Sequence, residues 1–272
     1  MATTSAPMIA FRDVGKTYPK TTAPVMTGVD LEIERGELVA LIGPSGCGKS
    51  TLLNLLAGLT DATTGTIDVA GSAGTEELRS AYVFQNPRLL PWRSVRHNVE
   101  FGLEQAGVPA AERRRRANEA LELVHLGEHG EKYPHQLSGG MQQRAALARG
   151  LALEPDLLLL DEPFGALDAL TRSYLQEELL SIVRRFGTTT LLVTHDIDEA
   201  LLLADRIVVM SSRPARIKRV VTVPFGRERA LDSVLAHPQF VPLRHEIRDL
   251  LRPEVAASDP AVEAGAPEVL SS

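Results

Sequence analysis

Residues Gly43-Pro44-Ser45-Gly46-Cys47-Gly48-Lys49-Ser50 fit the spacing G-x-x-x-x-G-K-[ST], a loop that wraps its backbone around the phosphates of a nucleotide. The residue types supply the chemistry. Glycine accepts positive φ, so at Gly43, Gly46 and Gly48 successive N–H groups can turn inward and form a nest for anionic oxygens. Lys49 sets a cation against the outer phosphates, and the Ser50 hydroxyl completes the coordination of a magnesium ion that bridges them. A helix opening near Thr51 adds its N-terminal partial charge. The loop predicts a nucleoside triphosphate and Mg2+ as ligands.

A second group of residues complements the first. Leu157-Leu158-Leu159-Leu160-Asp161-Glu162-Pro163 is a fully apolar strand that ends in two carboxylates, and ligands sit at the carboxyl ends of such buried parallel strands. Asp161 is placed to hold magnesium through its waters, and Glu162 to orient or deprotonate an attacking water. Successive strand residues point to different sides, so the two acids can divide these tasks. Helix caps are the alternative, but so apolar a strand leaves its terminal acids no structural duty.

Weaker signals surround these two. Gln85 is an amide at the end of the strand Ala81 to Phe84, able to bind a metal or water. His195 follows the strand Thr188 to Thr194, where it is either a structural histidine or a donor to a γ-phosphate oxygen. Ser138-Gly139-Gly140 opens a strong alanine- and leucine-rich helix, either as a plain cap or as a second anion-binding helix N-terminus. Tyr18 is either an ordinary half-buried strand residue or an aromatic face for adenine.

The elements that must position these residues alternate in type. The apolar run Leu38 to Ile42 is a buried strand feeding the phosphate loop, and Thr51 to Ala57 has helical character. Strand, glycine loop and helix are the context the motif requires. Ile9 to Lys20 and Val25 to Ile33 predict a small antiparallel sheet beside the nucleotide, and Gly65 to Ala70 reads as a further short strand. Val95 to Gly130 reads as helical, so residues from about 86 to 155 form a helical subdomain. The loop from Asn86 to Val95 carries two prolines, Leu89, Leu90 and Trp92, the single tryptophan; so apolar a loop either tucks into a core or meets a partner. Residues 1–8 and 253–272 are expected to be a flexible start and a disordered tail rich in Ala, Pro, Glu and Ser. The fold class is α/β: a P-loop core with a mostly parallel sheet, an antiparallel β subdomain and a helical subdomain.

Bulk properties narrow the function. At 272 residues the chain buries a sizeable core without disulfides. Its single cysteine, Cys47, lies at a permissive position of the phosphate loop and fits a reduced, cytoplasmic setting. No apolar run reaches the ~18 residues of a membrane span. The net charge of −6 gives no general attraction to nucleic acid. Arg113 to Arg116 form a local basic run, but four consecutive arginines point around most of a helix, which favours a solvated face over a nucleic-acid patch.

Taken in order, Gly43 to Ser50, Gln85, Leu137 to Gln143, Leu160-Asp161-Glu162, Ala166-Leu167-Asp168 and His195 resemble the ATP-binding subunit of an ABC transporter, across about residues 9 to 225. The resemblance implies that Tyr18 stacks on adenine, that Gln85 is the mobile glutamine and a metal ligand, that Glu162 is the catalytic base, and that His195 is the switch histidine. It implies that Asp168 belongs with the nucleotide-binding set, and that Ser138, Gly139 and Gly140 close on the ATP of the opposite subunit in a homodimer. Two residues depart from the family pattern: Met141 stands for the usual glutamine after the glycines, and Gly165 for the usual serine before Ala166. Neither is a phosphate ligand or the base. Phe84 to Trp92, Asp161 to Asp168 and Ser212-Arg213-Pro214-Ala215-Arg216-Ile217 resemble the nitrate, sulfonate and taurine importers more closely. His237-Pro238-Gln239-Phe240 and Tyr133-Pro134-His135 lean towards the taurine branch. Such importers imply two transmembrane permease subunits, a separate extracytoplasmic solute-binding protein, and a peripheral place on the cytoplasmic face of the membrane. The alternative is a soluble ABC ATPase acting on nucleic acid or ribosomes; long coiled-coil insertions or tandem cassettes expected of such proteins are not in this sequence.

Overall fold

The computed structural model of the chain describes residues 6–19, 22–70, 78–226 and 229–258. Two sheets clasp one helix. The larger sheet has the strand order β5 (Ser80–Val83), β6 (Leu157–Asp161), β7 (Thr189–Val193), β3 (Leu38–Ile42), β8 (Arg206–Met210) and β9 (Ile217–Thr222). The pairs from β5 to β8 are parallel, and β9 closes the edge antiparallel. The smaller sheet is antiparallel, in the order β2 (Met26–Ile33), β1 (Ile9–Lys16), β4 (Thr64–Val69).

Every residue of β3, β6 and β7 is buried, because helices or the second sheet cover both faces. Alternate residues feed different cores, as the two-residue period of a strand demands. Leu38, Ala40, Ile42, Leu158, Leu160 and Leu192 join one core with α2 (Val95–Gln105), α3 (Ala110–Leu123), α4 (Gly139–Leu151), α5 (Ala169–Phe186) and α6 (Ile197–Leu203). Val39, Leu41, Leu157, Leu159, Leu191 and Val193 join the other, with α1 (Lys49–Leu56) and the antiparallel sheet. Leu52, Leu53, Leu55 and Leu56 anchor α1 in that second core, which fixes the phosphate loop at the carboxyl edge of the parallel sheet.

The expected termini need correction. Met8, assigned to a flexible start, is fully buried, and its carbonyl accepts from Ala70 N at 2.8 Å. At the other end α8 spans Phe240–Ser258 and passes through Pro253, six residues into the stretch expected to be disordered. Its last turns are tied down by tertiary contacts: Glu254 accepts from Ser212 N at 2.8 Å and from Lys218 Nζ at 2.9 Å. The remainder, 259–272, and residues 1–5 lie outside the described residues, as does Lys20. The arginine run is a solvated, ion-paired face: Arg115 pairs with Glu112 and Glu119, and Arg116 with Glu112 and Glu154.

Candidate nucleotide-binding and catalytic site

Gly46 and Gly48 take the positive φ expected of them, at 71° and 124°. Gly43 does not, and its glycine has another cause. A Cβ there would lie 3.0 Å from Met210 O and 3.1 Å from Cys47 Sγ, so close packing against β8 excludes a side chain. Gly48 is confined in both ways, since a Cβ would also meet Val25 at 3.0 Å. Lys49 is buried, and its Nζ donates to Gly43 O at 2.8 Å and Pro44 O at 3.0 Å. The ammonium is thus held across the base of the loop by the backbone it must serve. Cys47 is buried and burial pushes its thiol pKa up, with Lys49 opposing, which suits a spectator better than a nucleophile.

Ser50 Oγ donates to Asp161 Oδ1 at 3.1 Å. Burial raises the Asp161 pKa; the Ser50 hydrogen bond opposes it and the Glu162 charge reinforces it. A hydroxyl and a buried, under-compensated carboxylate side by side are a donor set that suits a divalent cation. The oxygen chemistry of the residues present therefore fits Mg2+.

Glu162 sits one residue past β6 with φ 47°, a left-handed conformation that costs a non-glycine residue of order 1 kcal/mol. That turn separates the two acids. Asp161 faces Ser50, whereas Glu162 Oε2 lies 3.2 Å from Gln85 Nε2, which donates to it, and 3.3 Å from His195 Nδ1. One carboxylate thus links the ends of three strands, β5, β6 and β7. Ser45, Gly46, Gly48, Lys49, Ser50, Thr51, Gln85, Glu162 and Arg213 line a cavity of about 330 Å³. A larger hollow of about 720 Å³ between α3 and α5 contains none of the phosphate-loop residues; the chemistry makes the smaller one the candidate site.

Other expected site residues lie apart from that cavity. Ser138 caps α4, accepting from Met141 N at 3.3 Å, and is exposed with Gly139; Gly140 packs near Ala166, where a Cβ would be 3.1 Å from its carbonyl. Asp168 caps α5, accepting from Thr171 N at 3.0 Å, and that hydrogen bond holds its pKa down. Tyr18 is half-buried with Lys16 Nζ 5.0 Å from its ring centroid, and Lys16 is itself bonded to Thr60 Oγ1 and Asp61 O.

Two residues escaped the sequence reading. Arg213 lines the cavity; its motif carried only a family likeness. Glu199, on α6, is buried beside Glu162, His195 and Asp196 around a small hollow, and its Oε1 has no hydrogen-bond partner among the described residues. Its signal was an acid on the inward face of a helix whose other residues, Asp198 apart, are apolar. Burial first, then the charge of Asp196, push its pKa up to about 8. The native state therefore keeps this proton as the unfolded chain loses it, so the residue's contribution to stability is complete below the unfolded value of 4.5 and declines as pH rises to about 8. Glu199→Gln should gain stability relative to the parent across that window, by up to a few kcal/mol. Paired denaturant titrations at pH 5 and 9 would measure it; a difference that stays constant would remove the buried proton from the account.

Residues 26–165 match the family described as ABC transporter. The nitrate import ATP-binding protein NrtD of Synechococcus elongatus is 45% identical over 264 residues, covering 95% of this chain and 96% of the relative. The taurine import ATP-binding protein TauB of Chromobacterium violaceum is 49% identical, covering 85% and 90%, and the bicarbonate transport ATP-binding protein CmpD of Synechocystis is 43% identical, covering 93% and 92%. The nitrate import protein NrtC of Synechococcus elongatus is 49% identical, and the chain spans about a third of its length, 35%. Among solved structures, a dimeric post-hydrolysis ATP-binding cassette bound to ADP and Pi superposes with TM-score 0.72 at 32% identity, covering 79% of this chain and 99% of that one. The structure of cbiO1 from Clostridium perfringens, part of the ABC transporter complex cbiONQ, superposes with TM-score 0.70 at 28% identity, covering 90% of this chain and 96% of that one. Sequence match, phosphate loop and sheet order agree: this chain belongs to the ABC transporter family, as an ATP-binding subunit with ATPase function.

Proposed function

We propose that the chain drives import of a small anion or zwitterion such as nitrate, bicarbonate, taurine or another sulfonate, by hydrolysing Mg-ATP at the cavity between the phosphate loop and Glu162. The observation that carries the mechanism is the position of the Glu162 carboxylate, within hydrogen-bond range of both Gln85 and His195. The phosphate-loop N–H groups and Lys49 hold the phosphates, while Ser50 and Asp161 hold the magnesium, with Gln85 able to join through its amide. Glu162 takes the proton of the attacking water. His195 and Gln85 keep its carboxylate aimed and report the γ-phosphate to the loops they stand on. Tyr18 offers the adenine contact, and Ser138, Gly139, Gly140 and Asp168 belong to the face that meets a second copy.

Among the described residues no helix is long and apolar enough to cross a membrane, so passage of the solute falls to two permease subunits, with an extracytoplasmic binding protein delivering it. The loop after Gln85 suits a permease contact. Fully buried Asn98 holds its backbone: Leu90 N donates to Asn98 Oδ1 at 2.7 Å, and Asn98 Nδ2 donates to the carbonyls of Leu90, Arg93 and Ser94 at 3.0 to 3.1 Å. Leu89 packs on the core, whereas Trp92 is 71% exposed. A rigid loop presenting an exposed tryptophan is an interface anchor. Trp92→Ala should weaken assembly with the permease by roughly 2 kcal/mol and leave the isolated subunit's melting temperature and ATP affinity alone. A variant that unfolds in isolation would return Trp92 to the core.

The relatives give the soluble nucleic-acid ATPase no support, and they add bicarbonate to the expected solutes. Purification from membranes of cells expressing the tagged chain tests the proposal: a multi-spanning partner and ATPase activity in the complex are expected, and recovery with nucleic acid or ribosomes instead would overturn it. The ligand bound by the cognate binding protein identifies the solute.

A further inference from the structure

The segment Ser211–Ile217 crosses from β8 to β9 beside the phosphate loop, and no step above uses it. It is fixed on three sides. Ser211 N donates to Arg216 O, and Arg216 N donates to Ser211 Oγ, both at 3.0 Å, closing the loop on itself. Ala215 N donates to Val25 O at 2.8 Å and its carbonyl accepts from Thr27 N at 3.1 Å, tying the loop to β2. From α8, Glu254 Oε2 accepts from Ser212 N at 2.8 Å and from Ser212 Oγ at 3.0 Å, while Glu254 Oε1 accepts from Lys218 Nζ at 2.9 Å. These contacts aim Arg213 into the nucleotide cavity, where Nε donates to Gly46 O at 2.6 Å.

That single bond engages one edge of the guanidinium. The two Nη groups still carry four N–H donors, and they stand in a cavity lined by phosphate-loop residues together with Gln85 and Glu162. Among the described residues no carboxylate pairs with Arg213. A fixed guanidinium with donors to spare, beside a loop built for anions, suits phosphate oxygens.

We propose that Arg213 binds the phosphate chain of the nucleotide as a second cation besides Lys49, and that Glu254 positions it through Ser212, so that α8 tunes nucleotide affinity. The inference rests on the nucleotide-site reading above and adds to it a ligand from outside the phosphate loop. It gives the segment Ser212 to Ile217 a function, and it makes the last turns of α8 part of the site's support.

Titration of the full chain with ATP and, separately, with inorganic triphosphate tests this. Arg213→Ala should raise Kd for both by about tenfold, the size of one charge-assisted hydrogen bond, with its melting temperature unchanged. Arg213→Lys should recover part of the loss, because it keeps the charge without the fork. Glu254→Ala should raise Kd by about threefold in the parent and add nothing in the Arg213→Ala background, since the two act in series. Unchanged Kd for triphosphate in Arg213→Ala, a lysine variant no better than alanine, or additive effects of the two alanines would each overturn the inference. Parent protein that binds neither ligand would instead overturn the nucleotide-site reading on which it stands.

Discussion

Glu162→Gln is expected to lower ATP turnover of the assembled transporter by about 10² to 10⁴, the usual worth of a positioned general base, while ATP still binds. The substitution preserves volume and leaves an amide oxygen that can accept from Gln85 Nε2, now 3.2 Å from the carboxylate, so the cavity keeps its shape. What disappears is the proposed acceptor of the water proton. Nucleotide then accumulates unhydrolysed, and closed dimers become the dominant species in the presence of Mg-ATP. The strained φ of 47° at this position is expected to survive, because Glu162 N donates to Val193 O at 2.9 Å and holds the turn independently of the side chain. Turnover near the parent value, measured with the membrane partner present, would remove Glu162 from the role of base.

The second large effect concerns how many chains make one site. Ser138 is exposed, caps the N-terminus of the 13-residue helix α4, and does not line the cavity that Lys49 lines. Two anion-binding helix termini in one chain can clamp a single triphosphate only if they come from different copies, and a two-fold dimer makes two such sites from one self-complementary surface. Mixing Lys49→Ala chains with Ser138→Arg chains separates the alternatives. In a shared-site dimer, one site combines both defects and the other has an intact Lys49 facing an intact Ser138. Trapping of labelled nucleotide by a phosphate-like transition-state mimic should then return from near zero towards roughly a quarter of the parent level, since random mixing makes about half the dimers mixed and each of those has one intact site of two, and only in the Ser138→Arg chain. If each chain closed on its own nucleotide, every site would carry a defect. Mixed dimers that form but trap no more than the separate variants would count against the shared site.

Much of the site could be read from local chemistry. The phosphate loop announces itself because its glycines, lysine and hydroxyl must lie within eight consecutive residues. The β6 acids announce themselves because four leucines in a row require burial on both faces, which leaves Asp161 and Glu162 at the carboxyl end, where ligands of parallel strands sit. The antiparallel sheet and the helical segments followed from period and turn residues in the same way. Gly43 shows the limit of this reasoning: its residue type was legible, but its cause is packing against Met210, a neighbour 167 positions away in sequence, and no local rule carries that contact. The same holds for the end of α8. Composition after Pro253 pointed to disorder, and the Glu254 contacts to Ser212 and Lys218 extend the helix instead.

The sequence by itself determined the ligand class, the α/β architecture, the nucleotide loop and the pair of acids, because each is written in neighbouring residues whose types have few other uses. Only the tertiary structure decided which residues share a cavity. It set Glu162 between Gln85 and His195, turned Asp161 to Ser50, brought Arg213 to Gly46, buried Glu199 beside the site, and left Trp92 exposed on a loop held by Asn98. The physical reason is distance along the chain. Apart from the local bonds of Asn98, which span four to eight residues, these contacts join segments tens to more than a hundred residues apart, and they form when parallel strands deliver their carboxyl ends to one edge of the sheet, an arrangement fixed by strand order and not by the composition of any one segment.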